Sequence, residues 1–431
     1  MSLMRPGLFR ASAIYGGANV LSAAVPFLLL PILTRALTPA QYGEVISFYL
    51  VVAVCGAVAG LGLHSAVGVR WLDSSSGDPS RYTGTAVVLV LVTTVVSSAL
   101  SAQLAPRFGI ALSADLCALA AVAAGANVLQ GMRFAVWQSQ ERPLPAAMMQ
   151  ILLALLNVAF SLVAVLVFHL GGRGRILGAS AASTLIAVAA VASLVYDKSA
   201  TRVSWKDLRD LLRFGLPLTP HSLAGAFLGN ADRFAVAAQL SAPTLGVYGT
   251  ATQLGSVLGV IADAFTKAYT PTAYRWLSRR TTRSRLRVVA VAYLTIPMWL
   301  LTAGILWMAF IVAAPLLLGA SYRAASTLAI WFLIGGALNA VYLNIAGLFF
   351  FTGKTEWISM ASVAASVLAL ALAPVAVARL GVVGGGATYI VAQATLVLAA
   401  FALSSRITPM PWGRPLLALR VLFTRSMVGV R

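Results

Sequence analysis

The chain has 431 residues, 60% of them hydrophobic and only 10% charged. A water-soluble chain of this length carries about 25% charged residues, so a soluble globular protein is excluded. The formal charge is +20, from 31 Lys and Arg against 11 Asp and Glu. In a soluble protein that excess would point to nucleic acid. Here most basic residues flank apolar runs, where they act as topology signals and headgroup contacts, so nucleic acid is not an expected partner.

Apolar runs near 20 residues are long enough to cross a bilayer as helices, and only helices satisfy their backbone within one segment. The pattern predicts spans near 11–34, 44–67, 83–105, 113–138, 146–168, 176–196, 214–238, 246–272, 288–314, 325–351, 356–378 and 383–404. The first run is too long for a signal-peptide core and lacks a clear small-x-small cleavage site, so it reads as a retained helix. The fold class is therefore an all-α integral membrane protein with about 12 transmembrane helices. With the N-terminus inside, 22 of the Lys and Arg residues fall in cytoplasmic segments, six in outer loops and three within spans. That asymmetry predicts both termini in the cytoplasm.

The two halves read as repeats. An offset of 203 carries Arg10 onto Arg213, Leu37 onto Leu240 and Gly43 onto Gly246. It also sets "LTPAQYGEV" against "LSAPTLGVY". The expected organisation is an N-terminal six-helix bundle over 1–197, a cytoplasmic linker over 198–213, a C-terminal six-helix bundle over 214–404 and a basic cytoplasmic tail over 405–431. The tail segment "RPLLALRVLFTR" is either an interfacial helix or a frayed basic end.

No Walker A, HExxH or CxxC motif occurs, and the loops are too short for a soluble domain. Gly384, Gly385 and Gly386 start a membrane helix and follow no strand, so they are no nucleotide fingerprint. Cys55 and Cys117 have no metal-ligand spacing; no metal site and no cofactor is expected.

The candidate residues are those that hydrocarbon makes costly. Helix 1 carries Gly16, Gly17, Pro26 and Pro31, and its repeat counterpart carries Gly215, Pro217, Pro220, Gly225 and Gly229. Breaks at matching positions point to a hinge by the binding region. The fourth span holds Asn127, Gln130 and Arg133, too wide a polar sweep for a lipid face; Arg133 either lines a cavity or snorkels to the headgroups. Asp232 and Arg233 sit in the outer part of the seventh span, as structural or cavity-facing groups. Asp263 and Lys267 have the acid-before-base i,i+4 spacing of a helix pair. They form a buried bridge, or a site where Lys267 meets an anion and Asp263 titrates. His64 and His221 read as polar end residues. The six arginines from 275 to 287 read as an anchor for anionic membrane lipids.

Two stretches carry a family likeness. "LTRALTPAQYGEVISFY" with "GLGLHSAVGVRW", and "LRFGLPLTPHSLAGAFLGNADRFAVAAQLSAPTLGVYGTATQLG", resemble the openings of the two halves of Wzx-type polysaccharide (O-antigen) flippases. These belong to the multidrug/oligosaccharidyl-lipid/polysaccharide (MOP) exporter superfamily. The resemblance implies two six-helix pseudo-repeats around a central cavity, a MATE-like fold, in the bacterial cytoplasmic membrane. It implies that the protein is no enzyme. Its expected role is to move an undecaprenyl-pyrophosphate-linked oligosaccharide between leaflets by alternating access, for lipopolysaccharide or exopolysaccharide synthesis, beside the polysaccharide polymerase machinery. Asp232 and Arg233 occupy the family's Asp-Arg step. In this reading Arg133, Arg233 and Lys267, with Asn127 and Gln130, meet the pyrophosphate and glycan. Asp232 or Asp263 couples transport to a proton or sodium gradient. The chain departs from related lipid II flippases in having no arginine inside helix 1 and no two extra C-terminal spans. The rival reading is an ion-coupled drug antiporter of the same superfamily. A membrane polymerase or ligase fits less well, since the outer loops are short and hold few polar groups.

Overall fold

The computed structural model describes residues 6–73, 77–407 and 409–423. Arg5, Arg425 and Arg431, counted above among the cytoplasmic basic residues, lie outside them. In chain order the α-helices are α1 (Pro6–Ala36), α2 (Pro39–Gly60), α3 (Leu63–Leu72), α4 (Pro79–Leu104), α5 (Ala114–Ser139), α6 (Pro143–Leu162), α7 (Gly171–Tyr196) and α8 (Trp205–Leu228). Then follow α9 (Ala231–Gln239), α10 (Ala242–Ser278), α11 (Thr282–Leu317), α12 (Ala324–Thr352), α13 (Thr355–Leu380), α14 (Val382–Ile407) and α15 (Pro415–Phe423). No strand occurs among the described residues. Ten helical stretches are long and apolar enough to cross a membrane. The two other expected spans correspond to α1, whose segment Ala24–Ala36 is a shorter apolar helix, and to the divided pair α8 and α9.

The packing is the reverse of a soluble protein's. Large side chains such as Leu28, Val95, Leu301, Val312 and Leu316 are exposed. Small ones fill the interior, among them Ala120, Ala121, Ala124, Ala365 and Ala373. Lipid tails are as apolar as leucine, so helices associate through close contact of small residues rather than by hiding large ones. α5 shows this most plainly, packing against α2, α3, α4, α6 and α7 through an alanine- and glycine-rich surface.

Three local features depart from the expected spans. The second span is broken: α2 ends at Gly60, and Leu61 and Gly62 both take left-handed backbone, φ 44° and 64°. Leu218 packs where a Gly62 Cβ would stand. The seventh span is also broken, at Gly229–Asn230, and not at its prolines. α1 runs unbroken through Pro26 and Pro31, and α8 through Pro217 and Pro220. A membrane helix tolerates proline because neighbouring groups satisfy the freed carbonyl. The segment expected as a linker is helical from Trp205 onward. Asp207 and Asp210 there bind Arg81 and Arg70 at 2.7 and 2.6 Å, which fastens the start of α8 to α3 and α4.

The chain forms two compact units, Met1–Gly249 with Leu318–Tyr322, and Thr250–Leu317 with Arg323–Arg431. Compactness thus groups α8, α9 and the first turns of α10 with the N-terminal helices, a division different from the six-and-six repeat. In the second unit α12 packs on α11 and α14, α13 on α14, and α15 on α11.

Within the first unit the offset of 203 has a structural counterpart. Thr38 caps α2 in a capping box: its hydroxyl accepts from Gln41 N at 3.3 Å, while Gln41 Oε1 accepts from Thr38 N at 2.9 Å. Ser241, 203 positions on, caps the start of α10 by accepting from Thr244 N at 3.4 Å. α2 and α10 then approach so closely that a Cβ on Gly43 would collide with the Ala242 carbonyl, and one on Gly246 with the Pro39 carbonyl. Gly246 is Gly43 shifted by 203, and Ala242 is Pro39 shifted by 203. Contact of i with j′ and of i′ with j is the signature of a two-fold relation.

Candidate transport site

On α5 the three polar residues bond toward α7 and the turn after it, Gln130 and Arg133 buried and Asn127 exposed. Gln130 donates from Nε2 to the Ser183 carbonyl at 2.7 Å, and the Ser183 hydroxyl donates to Asn127 Oδ1 at 2.8 Å. Arg133, only 3% exposed, binds Asp197 at 2.6 Å, and its guanidinium lies 4.1 Å from the Trp137 ring centroid. Its Nε and Nη1 have no hydrogen-bond partner. A buried arginine needs a counter-charge, and Asp197, just past the end of α7, supplies it. Burial opposes ionisation of Asp197, but hydrogen bonds from Ser199 and Arg133 outweigh it and hold the carboxyl below its usual range. Asp197 was absent from the sequence-based candidates. Its signal was a lone acid at a span end, directly before the basic run that starts at Lys198.

The Asp-Arg step opens α9. Asp232 is buried and accepts from the Tyr248 hydroxyl at 2.8 Å. Arg233 donates from Nη1 to Asn230 Oδ1 at 2.9 Å, while Asn230 Nδ2 donates back to the Ala226 carbonyl of α8 at 2.8 Å. Asn230 therefore bridges the helix break, and the two charged neighbours point to different partners, as adjacent helix positions about 100° apart must.

On α10 the expected pair forms. Lys267 Nζ lies 2.5 Å from Asp263 Oδ2, with side chains 51% and 54% exposed. Ser256 and Gly259 are exposed on the same helix. Positions 256, 259, 263 and 267 lie three to four apart and so share one face. A polar face left open on a membrane-crossing helix belongs against water rather than lipid. This pair is not buried, which answers one of the two alternatives posed by its spacing.

The three expected cations thus stand in three separate arrangements: Arg133 with Asp197, Arg233 with Asn230, and Lys267 with Asp263. Arg175, assigned to an outer loop by its position, is instead buried in α7 at 7% exposure, where Nη1 donates to Asn157 Oδ1 at 2.7 Å and to Ser161 Oγ at 2.5 Å. A cavity of about 350 Å³ at the caps of α2 and α10 is lined by Gln41, Glu44, Ser47, Ala111, Ala237 and Leu240, among others. It holds none of these cations. His64 and His221 are exposed.

The sequence pattern of the family described as "Polysaccharide biosynthesis protein" matches residues 32–327, which include every candidate residue above except Pro26 and Pro31. The chain belongs to that family. It is 26% identical over 382 residues to "Lsg locus putative protein 1" of Haemophilus influenzae (strain ATCC 51907 / DSM 11121 / KW20 / Rd), covering 84% of this chain and 90% of the relative. Among solved structures, the fold is similar to the lipid II flippase MurJ in an inward closed conformation. The TM-score is 0.73 at 13% identity, with 96% of this chain and 92% of that chain covered. It is also similar to an inward-facing multidrug resistance MATE family transporter of the MOP superfamily. There the TM-score is 0.67 at 14% identity, with 91% and 95% covered. This polysaccharide biosynthesis protein therefore has a many-span helical bundle of the MOP, Wzx/MATE-like transporter type. Its ten long apolar helices among the described residues make it a multi-pass membrane protein.

Proposed function

We propose that the protein is a flippase that moves an undecaprenyl-pyrophosphate-linked oligosaccharide from the inner to the outer leaflet of the cytoplasmic membrane. The observation that carries the reading is the exposed Asp263–Lys267 face of α10 in a family devoted to polysaccharide biosynthesis. The cargo combines an apolar tail, a polar glycan and an anionic pyrophosphate. A glycan cannot shed its water into hydrocarbon, so it needs a wet path, and an open polar stripe along a long membrane helix supports one.

Lys267 is the cation most ready to meet the pyrophosphate. Its ammonium is half exposed, and its partner Asp263 neutralises it at rest and must give way when a stronger anion arrives. Arg233 is a second contact, reached by exchanging its Asn230 bond. Arg133 and Gln130 hold α5 to α7 and become ligands only if that packing opens, while Asn127 is already exposed. Pro26, Pro31, Pro217 and Pro220 supply places where helices bend as access alternates between the two sides. Asp232, held by Tyr248, or Asp263, once released from Lys267, carries the coupling ion.

The test is translocation of an undecaprenyl-pyrophosphate oligosaccharide in proteoliposomes, comparing wild type with Lys267→Ala, Arg233→Ala and Arg133→Ala. Loss of one charge-assisted contact, worth about 1.5–3 kcal/mol, should slow Lys267→Ala by about tenfold or more, with the protein still folded. Arg133→Ala should act mainly on stability. A wild-type protein that moves no lipid-linked glycan but exchanges a small cation for protons would make it a drug antiporter instead.

A further inference from the structure

At the ends of α10 and α14 and the start of α11, the second unit carries a basic surface apart from the Asp263–Lys267 pair. Arg275, Arg279, Arg280 and Arg283 are exposed along the α10–α11 turn. No carboxylate forms an ion pair with them among the described residues. Beside them the chain leaves α14, turns at Pro409–Trp412 and forms α15. This turn is fastened firmly. Arg285 donates from Nη1 to the Pro409 carbonyl at 3.2 Å, Tyr293 donates its hydroxyl proton to the Trp412 carbonyl at 2.8 Å, and Trp412 Nε1 donates to Ser404 Oγ at 3.0 Å. The Trp412 ring packs edge-on against Phe401 at 4.8 Å.

Held this way, α15 buries Ala418 against α11 and turns other residues outward. Leu416 is 79% exposed and Leu417 43%. With Leu419 and Arg420 they line an open groove of about 600 Å³. In this nine-residue helix, pinned along its inner side, Leu416 and Leu417 are left uncovered among the described residues. The helix lies beside the ends of the apolar helices α10, α11 and α14, the level at which a bilayer spanned by them has its headgroups. Leucine beside arginine fits the boundary between acyl chains and phosphates. The unpaired arginine comb fits anionic headgroups, each basic residue near such a surface adding about 1 kcal/mol in attraction. An acidic soluble partner would account for the arginines but would leave the leucines unexplained.

We propose that α15 and the α10–α11 turn form one interfacial platform that binds anionic phospholipid headgroups of the adjoining leaflet. By the distribution of basic residues, that leaflet is the cytoplasmic one. The firm aromatic attachment makes the platform part of the bundle, so lipid bound there bears directly on α10 and α11.

The experiment uses the full-length chain with Leu416→Cys carrying an environment-sensitive fluorophore; native Cys55 and Cys117 are buried. The protein is reconstituted in nanodiscs of phosphatidylcholine alone or with phosphatidylglycerol, without any glycan lipid, so the outcome is independent of the flippase reading. The platform requires a blue-shifted label, quenched by headgroup-level spin-labelled lipid and shielded from aqueous iodide. It also requires a preference for phosphatidylglycerol that falls by about tenfold or more in Arg279→Gln/Arg280→Gln/Arg283→Gln. A label open to iodide in both lipids overturns the proposal. So does a lipid preference unchanged by the triple substitution, or shielding that arises only when an acidic protein is added.

Discussion

Charge in this protein is handled residue by residue, and burial decides each case. Arg133 is held deep in the first unit by one carboxylate, so Asp197→Asn should strand a buried cation. Removing one member of a buried pair costs roughly 3–5 kcal/mol, and partial exposure of Asp197 places this change toward the low end; thermal unfolding in detergent would show it. The pH dependence follows from the same pair. Because the folded carboxyl of Asp197 is held below its ordinary range, its contribution is fully present above the unfolded pKa and is lost as pH falls through the folded value. Stability from this pair should therefore be flat from neutral pH down to the ordinary carboxylate range and fall only in stronger acid. In Asp197→Asn that acid-side step should vanish. Tyr248→Phe leaves buried Asp232 without its hydroxyl donor. A loss of about 1–3 kcal/mol is expected, with any ion coupling altered in the same variant if Asp232 carries it.

Small residues set how closely helices approach, and glycine positions differ sharply in what they tolerate. Gly43 faces a backbone carbonyl that cannot swing aside, so Gly43→Ala should cost about 1–3 kcal/mol through overpacking. Gly259, on the exposed face of α10, has nothing within 4 Å of a built Cβ. Gly259→Ala should be neutral or should stabilise by up to about 1 kcal/mol through helix propensity. Parallel melting curves of the two variants test both. The helix starts at Pro39 and Ala242 lie four to five residues before the apolar runs expected from 44 and 246, because Thr38 and Ser241 cap them ahead of the apolar residues. An interruption of the seventh span was legible, with Gly229 among the residues marking it, but which of them parts the helix was not. Four prolines drew attention because they lack a donor, yet the helix continues through each. The chain parts instead at Gly229–Asn230, where the Asn230 side chain satisfies groups on both sides.

For the whole molecule, topology is the claim that one labelling series can overturn. Cysteines placed at Arg202 and Arg280 should react only from the cytoplasm, and those at Arg107 and Arg323 only from outside. Buried Cys55 and Cys117 give a quiet background. Labelling of Arg202 and Arg280 positions from opposite faces would refute an even number of crossings between them.

Hydrophobic length and the bias of basic residues sufficed to read a many-span helical membrane protein. Both depend on how each segment meets lipid and water, which is local to the segment. The offset of 203 was legible for a related reason: Leu37 and Gly43 recur as Leu240 and Gly246 at the same local turn. The fate of each embedded charge was not readable, because it depends on which distant side chain packing brings within 3 Å. Arg133 met Asp197 from another helix's end, Arg175 sank between α6 and α7, and Lys267 stayed in the open. Spacing of three or four placed Asp263 beside Lys267, since a helix alone enforces it. Whether that pair faced water or protein depended on the helices packed around α10, and only the tertiary structure could decide it.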